Sequence, residues 1–279
     1  MLVKKAMTKS VISVSVPGNR DAALDILRKE KVSAIPVIKK DNGKLVGLIT
    51  RSDLIVNPDE EQIAMLMSRD LITVKADDDL TVAAKKMAEH DIRRIPVIND
   101  DDELVGIVTS FDIVSVALTK MEIDEPLEKF MIKSVPTTWD ETPLTVAFEI
   151  MRQFGLKTVF GLNNAGKLSS ILTETDFLAE SEIISKKTEH SSTVGTEGDK
   201  WSWDSTSVLY IEKNQLKFTD KVVREVSPEK IDTANTKTKV SECAKKMKAG
   251  NFEQIPVLDV EGNLVGLVRA SDLVRALVV

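Results

Sequence analysis

Four aspartates recur in one setting. Each closes a phrase made of a short apolar run, a hydroxyl or cation, two residues and the acid: GLITRSD (47–53), GIVTSFD (106–112), SILTETD (170–176) and GLVRASD (266–272). Asp53, Asp112 and Asp176 follow Thr50, Thr109 and Thr173, whereas Asp272 follows Arg269. Two chemistries fit this spacing. Thr-x-x-acid at a helix start is a capping box, with the carboxylate also favoured by the positive helix end. A carboxylate held at a strand-to-helix junction can equally accept hydrogen bonds from the vicinal hydroxyls of a ribose. Glu or Gln suits the box better than Asp, yet Asp stands at all four places and persists where Arg269 breaks the Thr half. The residues alone leave capping and ribose contact open side by side.

Such an acid needs a strand before it and a helix after it, and the chain repeats the arrangement. The aspartates are separated by 59, 64 and 96 residues. Upstream of each lies a second apolar phrase: SAIPVI (33–38), RRIPVI (93–98), KTVFGL (157–162) and EQIPVL (253–258). Further back, the i, i+4 pairs Ala23/Leu27, Ala83/Met87, Ala147/Met151 and Cys243/Met247 mark one face of a helix. Each copy therefore predicts strand–helix–strand–turn–strand–helix, an α+β unit. In copy one, residues 12–16 read as a strand and Asn19 opens a helix running to Lys31. AIPVI then pairs with KLVGLI across Asp41-Asn42-Gly43, an Asn-Gly hairpin signal. The second helix opens at Thr50 or Arg51.

A lone unit of about 60 residues buries little core, so the copies are expected to pair, as modules of roughly 1–120 and 121–279. The boundaries read as 1–58, 59–120, 121–185 and 220–279, with an insertion at 186–219. Within and beside it, SSTVGTEGDKWSWD (191–204) is polar and SVLYIEKNQLKF (207–218) reads as a hairpin. Trp201 and Trp203 either cover a module edge or form a docking surface, where Trp is enriched.

Composition narrows the classes. The chain has 279 residues, 42% hydrophobic and 29% charged, with aromatics at only 4%, so its cores must be aliphatic. No apolar run approaches the ~20 residues that span a bilayer. No signal-peptide core follows Met1-Leu2-Val3-Lys4-Lys5, and the single Cys suits a reducing compartment, so the expected location is cytoplasmic. A net charge of −6 argues against broad nucleic-acid binding, which needs a basic face.

Paired apolar-Pro-Val strands followed by G-h-h-T-x-x-D, in repeats near 60 residues, resemble cystathionine-β-synthase (CBS) domains. The resemblance covers all four copies. It implies four CBS β-α-β-β-α units paired into two Bateman modules that form a flat pseudo-symmetric disc. It also implies adenosine ligands (AMP, ADP, ATP or S-adenosylmethionine) in clefts between paired domains, and similarity to stand-alone archaeal sensors and the γ subunit of AMP-activated protein kinase. The matching positions are Asp53, Asp112, Asp176 and Asp272 for ribose, and Thr50, Thr109 and Thr173 near ribose or phosphate. Arg93, Arg94 and Lys157 stand where the family places a phosphate-binding base. Ser13, Thr73, Thr138 and Thr233, in the first strand of each copy, would frame the adenine. Copy three departs at Phe160 and Ser170, the latter standing where the others have Gly, which predicts displaced backbone near a ligand. Copy four departs at Arg269 and Glu253-Gln254, and copy one offers Ser33-Ala34 without charge.

Other signals are weaker. GLNNAGKL (161–168) nearly spells a phosphate-binding loop, but Leu168 replaces the required hydroxyl and the phrase aligns with a hairpin turn. The acidic runs 77–79 and 100–103 read as a helix cap and a turn, and no metal is expected. His90 and His190 lack metal-ligand spacing, and Cys243 takes the place of a packing Ala. Catalysis has no visible home. The expectation is an allosteric sensor of adenine nucleotides without a cofactor, acting on an unidentified effector protein or through a homodimer, with neither nucleic acid nor membrane insertion. Phosphates would lie on Arg, Lys and helix N-termini. A regulator responding to S-adenosylmethionine and a ligand-free scaffold are the alternatives.

Overall fold

The computed structural model describes residues 1–30, 32, 34–50, 53, 60–173, 176–177, 180–193, 206–228 and 230–278, with only the backbone of 28, 181–193 and 206–218. Ser33, the helix start at Arg51, Trp201 and Trp203 lie outside the described residues.

Each copy builds the same three-stranded sheet. Copy one comprises β1 (Val14–Val16), α1 (Arg20–Lys29), β2 (Ala34–Lys39) and β3 (Leu45–Thr50). Copy two adds a preceding turn of helix, α2 (Ile63–Leu66), then β4 (Val74–Lys75), α3 (Leu80–His90), β5 (Arg94–Ile98), β6 (Leu104–Thr109) and α4 (Ser110–Val116). Copy three has β7 (Thr137–Trp139), α5 (Leu144–Phe154), β8 (Thr158–Leu162) and β9 (Leu168–Thr173). The insertion forms β10 (Ser181–Thr193) and β11 (Thr206–Phe218). Copy four has α6 (Val223–Val226), β12 (Ala234–Asn235), α7 (Val240–Gly250), β13 (Gln254–Leu258), β14 (Leu264–Arg269) and α8 (Ala270–Leu273).

In each copy the middle strand pairs with both others. β1, β4, β7 and β12 run parallel to it across their helix crossover. β3, β6 and β9 return antiparallel through a hairpin, with a bulge at the same place in all three. The hairpin turns share one left-handed position, held by Gly43, Asp102, Gly166 and Gly262. Asp tolerates this backbone better than most side chains, which explains the one exception. GLNNAGKL is such a turn, with Asn163 Oδ1 accepting the Ala165 and Lys167 amides at 2.9 and 3.0 Å. The expected hairpin within 207–218 is instead one 13-residue strand, paired in register with Ser181–Thr193. Its alternation is that of a long ribbon, and periodicity does not say where a strand turns.

Each copy is preceded by an arm that crosses to a neighbour. Thr8 bridges Ile107, and Ser68 bridges Leu48, so copies one and two exchange arms. Ile132 bridges Leu267, and the Ser227 hydroxyl accepts the Ile171 amide at 3.0 Å, so three and four do the same. The motif glycine serves these arms. A Cβ on Gly106 would lie 2.6 Å from Met7 Sδ and 3.1 Å from the Thr8 carbonyl. In copy three the size pattern is swapped across the ladder: Gly161 faces Ser170, where copies one and two pair Val37 with Gly47 and Val97 with Gly106. The Ser170 departure is thus matched by a packing exchange beneath an arm. A Cβ on Gly161 would lie 2.7 Å from Ser170 Cβ. Gly161→Val is expected to cost about 2 kcal/mol by overpacking, and Ser170→Gly in the same chain should recover most of it, as read by urea melts.

By compactness the chain divides into two units. The first holds Met1–Lys133, Thr233–Asp259 and Val265–Val279. Its main core is shared: Leu80 and Met87 of α3 and Ile113 of α4 lie in one apolar cluster with Cys243 and Met247 of α7 and Leu273 of α8. Copy one keeps its own cluster around Leu27, Ile35 and Ile49. The turns of copies one and two also meet, Leu45 N donating to Asp102 O at 3.0 Å and Leu104 N to Gly43 O at 3.3 Å. The second unit, Ser134–Asp232 with Val260–Leu264, is built on Leu144, Met151, Val159, Leu172, Phe177 and Val223. The expected bodies 1–120 and 121–279 are therefore not the compact ones. Arms pair the copies by chain order, while the apolar helix faces of copies two and four bury one another.

Candidate functional site

The hairpin of copy two assembles the best-supported group. Register sets Arg94 opposite Thr109, and the Ser110 amide donates to the Arg93 carbonyl at 2.9 Å. Both arginines are thereby fixed beside the strand-to-helix junction. Thr109, in extended backbone, caps α4; its Oγ1 accepts the Asp112 amide at 3.1 Å. Asp112 Oδ2 in turn accepts the Thr109 amide at 2.8 Å and hydroxyl at 2.7 Å. Among the described residues Oδ1 of Asp112 accepts nothing. Asp is therefore long enough to complete the box, although Glu or Gln is expected to suit it better. One oxygen caps and the other is left over.

The same Thr-to-Asp capping contact recurs. The Thr50 amide and hydroxyl both lie 2.7 Å from Asp53 Oδ2, and those of Thr173 both lie 2.7 Å from Asp176 Oδ2. These three acids are half-buried. Thr158 pairs with Thr173, which sets the neighbouring Lys157 beside the third junction as Arg93 is beside the second. Copy four differs. Arg269 donates to Asp272 Oδ2 from its amide at 3.0 Å and from Nε at 2.9 Å, and to Oδ1 from Nη2 at 2.8 Å. Asp272 is 2% exposed. The box expected to break there keeps its carboxylate half, the guanidinium having replaced the hydroxyl.

Burial and like charge both act on Arg94. Burial pushes the Arg94 pKa down, the adjacent Arg93 cation adds to this, and Glu253 opposes it.

Of the four residues expected to frame an adenine, Ser13 and Thr73, each just before its strand, line clefts. Thr73 lines a cleft of about 310 Å³ with Lys39, Lys44, Arg69, Leu71, Ile98 and the carboxylate of Asp102, which lies 4.0 Å from Lys44 Nζ. Ser13 lines another, of about 420 Å³, with Val14, Pro17, Asn19, Ala22 and Ile63. Asp112 lines neither of these clefts, and its hydrogen bonds are to Thr109. The carbonyls of Thr73 and Thr233 accept Lys86 Nζ at 2.8 Å and Lys246 Nζ at 2.9 Å, and Thr138 Oγ1 lies 2.9 Å from Thr142 Oγ1. Lys39, Lys44, Arg69, Lys86 and Lys246 were not singled out from the sequence. Lys86 and Lys246 were within reach, each three residues after the packing positions Ala83 and Cys243.

The remaining signals resolve as structure. Asp79 caps α3, accepting the Thr81 amide at 3.0 Å. Burial pushes the Cys243 thiol up to about 12, so it is held as an unreactive thiol. Among the described residues, no three His, Cys, Asp or Glu gather as a metal site, and no helix is long and apolar enough to cross a membrane.

Four three-stranded α+β units with exchanged arms, each with a carboxylate at its strand-to-helix junction, define a tandem-repeat protein. The CBS domain model matches residues 3–58, 61–119, 127–182 and 223–279, and the chain belongs to the CBS domain family. It is similar to an uncharacterized conserved protein from Pyrococcus horikoshii, at 28% identity and a TM-score of 0.68, covering 99% of this chain and 100% of that one. It is also similar to the uncharacterized protein MJ1225 of Methanocaldococcus jannaschii, 20% identical over 98% of both chains. The crystal structure of MJ1225, described as a proposed archaeal homologue of g-AMPK, superposes with a TM-score of 0.71 at 19% identity, covering 99% of each chain. A 113-residue stretch is 32% identical to the homoserine O-acetyltransferase of Methanococcoides burtonii, spanning 40% of this chain and 23% of that enzyme.

Proposed function

We propose that the chain is a non-catalytic sensor of adenine nucleotides that regulates a separate partner. The observation that carries this reading is the divided carboxylate of Asp112. Capping consumes Oδ2 and leaves Oδ1 as an acceptor at the junction where the backbone of Arg93 and Arg94 meets Ser110 and Thr109. Capping and ribose binding are then two uses of one side chain, and the sequence did not have to choose between them. The family resemblance supplies the ligand class, and the chemistry narrows it. Arg93 and Arg94 at the junction, and the three cations Lys39, Lys44 and Arg69 against the one carboxylate of Asp102 around Thr73, suit phosphates better than the sulfonium of S-adenosylmethionine. A ligand held by two copies at once would bias their relative arrangement, which is the differential contact an allosteric response requires. The output would pass to an effector protein or through self-association.

Calorimetry with AMP, ADP and ATP tests the reading. Asp112→Asn should weaken the tightest binding on the order of 10- to 100-fold, the worth of hydrogen bonds to a charged acceptor. Unchanged affinity in a folded variant would remove the ribose role. A melting temperature that no adenine compound raises would favour the scaffold alternative instead.

A further inference from the structure

We infer that the fourth copy has closed its own carboxylate site and that Arg269 is the residue that closes it. This rests on the ribose-binding reading of the other copies. In copies one to three a Thr hydroxyl and amide meet a single oxygen of the acid. In copy four the guanidinium takes both oxygens, from Nε at 2.9 Å and Nη2 at 2.8 Å. The bidentate fork leaves no acceptor for a pair of sugar hydroxyls. Burial completes the closure, since Asp272 is 2% exposed while Asp53, Asp112 and Asp176 are half-buried.

The neighbouring base is inverted as well. The Ala270 amide donates to the Glu253 carbonyl at 2.8 Å, as the Ser110 amide does to Arg93, so Glu253 stands where copy two has its first arginine. A carboxylate there repels phosphate. Both changes point the same way: copy four keeps the helix start and gives up the ligand. Its helix α8 still packs on α3 and α4 of copy two, so within the shared core one copy responds to nucleotide and the other is a fixed support.

Native mass spectrometry of the full chain with ATP and with AMP counts bound nucleotides and so tests the closure. Asp272→Asn should leave the wild-type count unchanged, whereas Asp112→Asn should lower it by one. Arg269→Thr with Glu253→Arg rebuilds the pattern of copy two and should raise the count by one; Thr at that place is already compatible with the fold in three copies. Loss of a nucleotide in Asp272→Asn, or no gain in the double variant, overturns the closure while the sensor reading stands. A wild-type chain that binds no adenine nucleotide ends both. If Asp272→Asn fails to fold, the double variant decides alone.

Discussion

Leu273→Ala should destabilise copies two and four together, by about 3 kcal/mol, although Leu273 belongs to copy four alone. The side chain is fully buried in the cluster that also holds Leu80, Met87 and Ile113 of copy two. α8 packs against α3, α4 and α7. Deleting most of a buried Leu removes its transfer free energy and leaves a cavity that a close-packed interior collapses around only in part. Because α3 and α4 line the same cluster, their amide protection should fall with that of α7. Hydrogen exchange on the full chain checks this. Loss of protection confined to α7 and α8 would mean that copy four has an independent core. Copy one, with its own cluster, should change little.

Arg269→Met should cost about 3 kcal/mol, the low end of what breaking a buried pair costs, because Arg269 itself is partly exposed. The loss is mostly that of Asp272. Its side chain is 3% exposed and would keep only the backbone amide of residue 269 as a donor. Adding Asp272→Leu to Arg269→Met should recover much of the stability, since removing both charges spares the desolvation that removing one exposes. Denaturant melts of the two single variants and the double form a cycle, and a coupling below about 0.5 kcal/mol would show that the pair is screened like a surface ion pair. The cycle also separates two roles that sequence cannot: a carboxylate kept for a helix start and one kept for a ligand.

The fourth junction was partly legible. Arg three residues before Asp is a spacing at which side chains meet on a helix, yet it was read as a broken cap because the Thr of the other copies set the template. The Ser170 departure was legible only as a difference. Its partner, Gly161, lies across the hairpin, and the arm above it comes from the far side of the insertion. The charged cleft around Thr73 was not legible at all. Lys39 and Lys44 reach Arg69 and Thr73 only because copies one and two exchange arms and join their turns.

The sequence alone determined the repeating unit, its strands, its turns and the four acids, because these follow from hydrophobic period, Gly and Asn chemistry and hydrogen bonds three residues apart. Only the tertiary structure decided which copies share a core and how deeply each acid is buried. An apolar helix face announces that it must be buried but not against what, and a capping box fixes one side of a carboxylate while its surroundings fix the other.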